Sequence, residues 1–353
     1  MEKFKKVKVV TCIVAFIGVV FFMVNLCPAA PAVQKIVLKY GSYGAPRIGH
    51  DEPLIWWAEE VSRRSGVKIE YEFFWAEALA KAPDCFDAIG AGAYDIGWIS
   101  PIFTPGKTPY LAVANSTPLT TSDLEVICSA HDELSRLGPG KAELEKGNTK
   151  YLHAYSTWDY HLIGIKPIKA LDDVKGYRCR TFGYLSLPWK ELGGVPISMA
   201  ASEVYSAFQA GLLDGALHQP ATFLKGKYYE VAKQYTLMNF GCLPGPFIMN
   251  MNKWNSLPPN VQKVMLEVSN EMPKHSQRIA DGAERLAMEE LKKKGVTFYE
   301  LPVADRDRFM KLKQKVWAEI GTSIDAKGLP GSKAVELWTG LIKKYEAEKA
   351  KRK

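Results

Sequence analysis

One phrase is written twice in this chain. Ala-x-x-Ala-Gly-x-x-Asp-x-x-x-x-x-Pro runs from Ala88 to Pro101 and again from Ala207 to Pro220. Each copy reads as a helix C-terminus with its Gly stop, a turn Asp, and a strand running into a loop. The residues leading to the first copy alternate in the same way. "KIVLKYGSYG" is a strand closed by Gly41, and "DEPLIWWAEEVSRRSG" is an amphipathic helix with Asp51 as its cap and Gly66 as its stop. "VKIEYEFF" is a period-two strand, "APDCFDAIGAGAY" a short helix and "DIGWIS" a short apolar strand. The order β-α-β-α-β predicts an α/β fold with a mostly parallel sheet covered by helices. A second such series starts near His153 and includes "YRCRTF", "LSLPWKELGG", "VPISM" and "ASEVYSAFQAG". Ligands of open α/β sheets sit beyond the C-terminal strand ends, so two facing units would bring both loops to one cleft.

At 353 residues the chain suits two modest domains better than one core. After Pro244 the pattern changes to a long helical stretch, interrupted only at Pro273, then the short strand "VTFYELP" and two further helical segments. A long helix after two sheet units predicts a tie lying across both.

The N-terminus has the charged, apolar, small-residue order of a secretory signal. Lys3, Lys5, Lys6 and Lys8 precede an uncharged run from Val9 to Leu26, and Ala30 and Ala32 mark a cut before Val33. The run is also about long enough for an uncleaved anchor. Leu26 before Cys27 argues against a lipoprotein site. Cleavage lowers the formal charge from +8 to +5, much of it in Lys-rich stretches such as "LKKKG". These carry no interleaved aromatics or reading motif, so nucleic acid is not the expected partner. Beyond the cut, Cys85, Cys128, Cys179 and Cys242 match no zinc or redox spacing, and pairing and burial as free thiols stay equally open.

Catalysis is disfavoured. There is no His-Glu-x-x-His and no Gly-x-Ser-x-Gly. "GAGAYDIG" lacks the third Gly of a dinucleotide fingerprint, and "GPGKA" puts Ala142 where a phosphate loop needs a hydroxyl. No cofactor or metal is implied.

The run "PIKALDDVKGYRCRTFGYLSLPWKELGGVPISMAASEVYSAFQAGLLDGA", with "KYYEVAK" and "WNSLPPNVQKVMLEV" after it, closely resembles the solute-binding subunits of tripartite ATP-independent periplasmic (TRAP) transporters, of the DctP type. The resemblance implies a two-lobed periplasmic-binding-protein fold, type II-like, with a long helix spanning both lobes. On that basis residues 1–32 are the signal, 33–155 plus about 246–282 form lobe I, and 156–245 plus about 283–335 form lobe II. Residues 336–353 are a C-terminal helix or tail. The protein would work in the periplasm, capture a small carboxylate and hand it to a membrane permease. A subunit feeding a sensor kinase is the alternative, and monomer and helix-swapped dimer are both open.

In that family the Arg ending Lys-Gly-x-x-x-Arg forks onto the ligand carboxylate, and here it is Arg180. A guanidinium offers two parallel donors matched to a carboxylate. Without the motif Arg180 would read as a surface strand charge like Arg178. The departures from the family pattern are informative. Tyr160 stands where many members carry a second Arg, and Ala201 where a bulky aromatic is usual. His218 replaces an Asn, and Ser100 stands at a first-lobe polar position. With Gln219 beside His218, and with Tyr43, Trp98, Tyr155, Trp158, Phe182 and Phe223 as candidate walls, the pocket suits a monocarboxylate with a bulky or aromatic body. A C4-dicarboxylate or 2-oxo acid is the alternative ligand. Plain core packing is the competing role of each aromatic, and a structural role that of His218.

Overall fold

The computed structural model describes residues 35–44, 52–116, 121–199 and 203–352. The signal and its cut, Cys27, the Asp51 cap and Ala201 lie outside the described residues.

Eleven described strands form two sheets. The first contains β1 (Ile36–Gly41), β2 (Ile69–Phe74), β3 (Ile96–Trp98), β4 (Thr149–Ser156) and β10 (Pro244–Asn250) in the order β2-β1-β3-β10-β4. The second contains β5 (His161–Gly164), β6 (Arg178–Thr181), β7 (Val195–Ser198), β8 (Gly215–His218), β9 (Gln234–Leu237) and β11 (Thr297–Glu300) in the order β11-β9-β5-β8-β6-β7. β1 runs parallel to β2 and β3, and β6 parallel to β7 and β8. β10 and β5 enter antiparallel. The expected α/β, two-lobed architecture is what folds.

The repeated phrase builds the same device in each lobe. Helix Cys85–Ala91 ends at Gly92 (φ 79°), and the Ala93 N–H donates back to Ala88 O at 2.9 Å. Helix Val204–Gln209 ends before Gly211 (φ 67°), and the Leu212 N–H donates to Ala207 O at 2.9 Å. Only glycine takes that left-handed turn without strain. The turn aspartates then staple the neighbouring strand. Asp95 accepts from the Lys39 N–H of β1 at 2.8 Å and returns its own N–H to Lys39 O at 3.0 Å. Asp214 does the same to Arg178 of β6, at 2.9 and 2.8 Å.

Two connecting segments pass between the lobes, Thr157–Tyr160 from β4 to β5 and Met238–Leu243 from β9 to β10. They pair through Thr157 N–H to Leu243 O (3.1 Å), Tyr160 N–H to Gly241 O (3.2 Å) and Phe240 N–H to Tyr160 O (3.1 Å). Two helices cross as well. Helix Pro259–Lys293 starts in the lobe I core, where Val261, Met265 and Val268 pack with Trp57, and ends with Leu291 among Val204 and Tyr235 of lobe II. It is not interrupted at Pro273, as the sequence suggested. The helix continues through it, with Met272 and Pro273 both buried; packing offsets the lost backbone hydrogen bond. Helix Val303–Asp325 starts against lobe II, with Phe309 edge-on to Phe240, and ends with Val316, Ile320 and Ile324 in the lobe I core. Helix Gly331–Ala350 then lies on helix Leu124–Arg136 of lobe I, held by Lys344–Glu133 and Lys349–Asp123. Cys85, Cys128, Cys179 and Cys242, the four cysteines among the described residues, are buried and free.

Candidate functional site

β6 carries two arginines two residues apart, and the strand's position separates their fates. Arg178, nearer the strand's start, is half-exposed and pairs with Asp214 at 3.0 Å. Arg180, nearer its C-terminal end, is only 6% exposed. Its Nε donates to Met199 O at 3.3 Å and its Nη1 to Leu217 O at 3.4 Å. These carbonyls, from the neighbouring strands' ends, fix the plane of the guanidinium. Burial lowers its pKa from 12.5, against the fields of Tyr160 and Tyr228, and no carboxylate among the described residues pairs with it. The result is a cation held in place away from water, a condition that strengthens a charge-assisted bond to an anion.

Arg180 sits over the Phe182 ring at 4.7 Å. Tyr160 meets Phe182 edge-on at 5.5 Å and stacks on His218 at 5.7 Å. His218 reaches Phe223 at 6.3 Å, and Phe223 packs on Tyr228 and Tyr235. The His218 Nδ1 accepts the Gln219 backbone N–H at 3.0 Å and also meets the Gln219 side chain. Lobe II thus joins six of the sequence candidates, Arg180, Phe182, Tyr160, His218, Gln219 and Phe223, into one connected wall. Of these, Phe223 is fully buried within the lobe II core.

Lobe I supplies a second aromatic group. Tyr43 lies 5.7 Å from Trp98 and 6.2 Å from Phe103, and the Trp98 Nε1–H donates to Tyr155 O at 3.1 Å. Tyr155 and Trp98 are nearly fully buried, whereas Phe103 is 46% exposed. Ser100 donates to Asn115 Oδ1 at 2.6 Å, and Asn115 in turn donates to Pro244 O at 2.6 Å. Trp158 packs into the lobe I core cluster. The lobes touch where Ile102 meets Gly183, since a Cβ added to that glycine would stand 2.8 Å from the Ile102 Cδ1. Residues 101 to 103 and 182 to 185 therefore face each other. Sequence reasoning does not single out Tyr228, Phe103 or Asn115. Tyr228 is within its reach, because it lies in the "KYYEVAK" run that carries the family resemblance.

Comparison with known proteins decides the family. The profile of DctP, the bacterial extracellular solute-binding protein family 7, matches residues 52–323. The chain belongs to that family. It is a TRAP solute-binding protein and not an enzyme. It is 26% identical over 325 residues to the C4-dicarboxylate-binding periplasmic protein DctP of Rhodobacter capsulatus, covering 88% of this chain and 94% of that protein. A marine metagenome TRAP solute-binding protein specific for aromatic acids, solved with 3-hydroxybenzoate, is 25% identical with a TM-score of 0.77, over 88% of this chain and 99% of that one. A TRAP solute-binding protein of Chromohalobacter salexigens solved with D-glucuronate shares the fold at 19% identity, with a TM-score of 0.71 over 87% and 99% of the two chains. The family is extracytoplasmic, and no helix among the described residues is long and apolar enough to cross a membrane.

Proposed function

We propose that this binding protein captures a monocarboxylate with an aromatic or bulky apolar body and delivers it to a TRAP membrane permease. Arg180 carries the reading. It is a single buried guanidinium, pinned by two carbonyls and flanked by Phe182, Tyr160 and His218. One fork matches one carboxylate, and the adjoining ring faces suit a flat apolar body. Tyr160, standing where a second arginine would serve a second carboxylate, points the same way. So does the 3-hydroxybenzoate held by a relative of 25% identity. A C4-dicarboxylate is the second reading, favoured by what the Rhodobacter capsulatus relative binds. Delivery to a sensor kinase instead of a permease would use the same clamp.

The test is calorimetric titration of the chain from Val33 with benzoate, 3-hydroxybenzoate, succinate, malate and glucuronate. Benzoates binding alone, and weakening at least about thirtyfold in Arg180→Ala, is the expected result, since truncating one side of a buried charge pair costs about 2 kcal/mol or more. Tight binding of succinate or malate overturns the aromatic assignment.

A further inference from the structure

The Met238–Leu243 crossing contains two residues with left-handed backbone, Asn239 (φ 49°) and Gly241 (φ 101°). Asn takes this conformation more readily than other non-glycine residues, and both backbone polar groups of Asn239 are bonded here. Its carbonyl accepts from the Nζ of Lys313, on helix Val303–Asp325, and its N–H donates to His161 Nδ1 at 3.4 Å. The Gly241 N–H donates to Asp159 Oδ1 at 2.6 Å, and the other Asp159 oxygen accepts from Ser122. His161 Nε2 reaches Glu284, on the long helix, at 3.2 Å. Lys313, Asp159 and His161 are 3%, 5% and 3% exposed. Lys313 from one crossing helix and Asp159 from the first connection thus hold the same three-residue turn of the second connection, and Glu284 of the long helix reaches it through His161. The Tyr160 backbone, paired with Phe240 and Gly241, connects that turn to the ring stacked on His218.

We propose that Lys313, Asp159, His161 and Glu284 form a buried electrostatic latch on the interlobe hinge, which holds the Asn239–Gly241 turn and thereby restricts how the two lobes sit relative to each other. The inference rests on the clamp reading of the fold and not on which acid is bound. Buried charges are costly unless matched; here Lys313 feels the opposing field of Asp159 without a direct ion pair, each bound to the same turn, and His161 pairs with Glu284. Discharging either side leaves the other unopposed and frees the turn.

The latch is sensitive to protons. Burial lowers the Lys313 pKa to about 8, and Asp159 only partly opposes that. The latch is therefore charged below about pH 8 and discharged above it. Burial also pushes the His161 pKa down, but Asp159 and Glu284 outweigh it and hold the pKa above its usual 6.5. The other titratable groups facing the cluster are the Cys242 thiol, with Cys128 behind it, and the Tyr235 phenol. Burial drives all three pKa values well up, so they stay neutral through this range.

The experiment measures interlobe distance by double electron–electron resonance in the ligand-free chain. In the chain from Val33, spin labels go on Lys146→Cys in lobe I and Lys190→Cys in lobe II, both exposed, while Cys85, Cys128, Cys179 and Cys242 are buried. The distance distribution should be narrow at pH 7 and broaden at pH 9. Lys313→Met should be broad at both pH values, and the double variant Lys313→Met/Asp159→Asn, which removes both charges, should return to a narrow, pH-independent distribution. A wild-type distribution unchanged between pH 7 and 9 overturns the proposal. So does a Lys313→Met distribution matching wild type, or a double variant as broad as the single. No ligand is needed, so a wrong ligand class cannot mimic any of these outcomes.

Discussion

The Tyr160 ring lies on the His218 imidazole, 5.7 Å between centroids with 27° between planes. The two come from antiparallel neighbours, since β5 begins at His161, opposite His218, and Tyr160 is the last residue of the crossing. A residue of the connection thus forms part of the wall beside Arg180, and its identity sets how many charges that wall presents. Tyr160→Arg should move the protein from single-carboxylate toward dicarboxylate ligands. Succinate binding should appear, and benzoate should weaken about tenfold as ring contacts worth about 1 kcal/mol or more are lost. Titration with both acids checks it.

Arg180→Lys keeps the charge and loses the planar fork. The variant should fold with little change in Tm, because Arg180 has no ion pair to lose among the described residues. Its affinity for the preferred acid should fall by about 1.5–3 kcal/mol. Parallel calorimetry and thermal unfolding separate the two effects.

Asp95 and Asp214 hold equivalent strand amides, so their Asn variants should each destabilise the protein, by about 1–2 kcal/mol. Asp214→Asn should cost more, because the Arg178 side chain also bonds that carboxylate through Nε and Nη2, both at 3.0 Å. Among the described residues the side-chain cation paired with Asp95 is the more distant Lys253, at 3.9 Å. Urea unfolding of the pair gives the order, and equal losses would contradict it.

Acid should unfold lobe I through its buried histidines. Burial takes both His131 and His153 to a pKa of about 3. Between 6.5 and about 3 the unfolded chain binds protons that the native state refuses, so stability falls with falling pH by about 1.4 kcal/mol per unit per histidine. Asp132 opposes one of them over part of the range. Burial raises its pKa to about 6, so from pH 6 down to 3.8 the native state takes up a proton first. His153 lies beside Phe247 (4.6 Å) and Trp57 (5.8 Å), and its Nε2 has no partner among the described residues. His153→Phe should therefore match wild type near pH 7 and exceed its stability by about 2 kcal/mol at pH 5 and about 3 kcal/mol at pH 4. Denaturant titrations at the three pH values test the sign.

What the sequence shows plainly is local. The Gly stops, the turn aspartates and the alternating strands follow from neighbours in the chain, and each appears where the repeated phrase puts it. β10 does not read as a strand, because Pro244, Gly245 and Pro246 speak against a central one. It nevertheless pairs with both β3 and β4. The helix through Pro273 breaks the same local rule, and tertiary packing overrides it in both cases. Arg180 separates from Arg178 only by family resemblance, because the difference between them is position along a strand relative to a cleft. Lys313 gives no signal at all. In "MKLKQKVW" it is one lysine among three, and only the crossing of four chain segments makes it buried.

Those four crossings, two connecting segments and two helices, also bear on the energetics of capture. Two bodies joined by one flexible tether would have to search relative orientations in three angles for each ligand, and the ligand's binding energy would have to offset that lost freedom. Four connections restrict those orientations far more than one tether does. Most of the orientational entropy is then lost once, when the chain folds, and capture of a small ligand can be tight without an extensive contact surface.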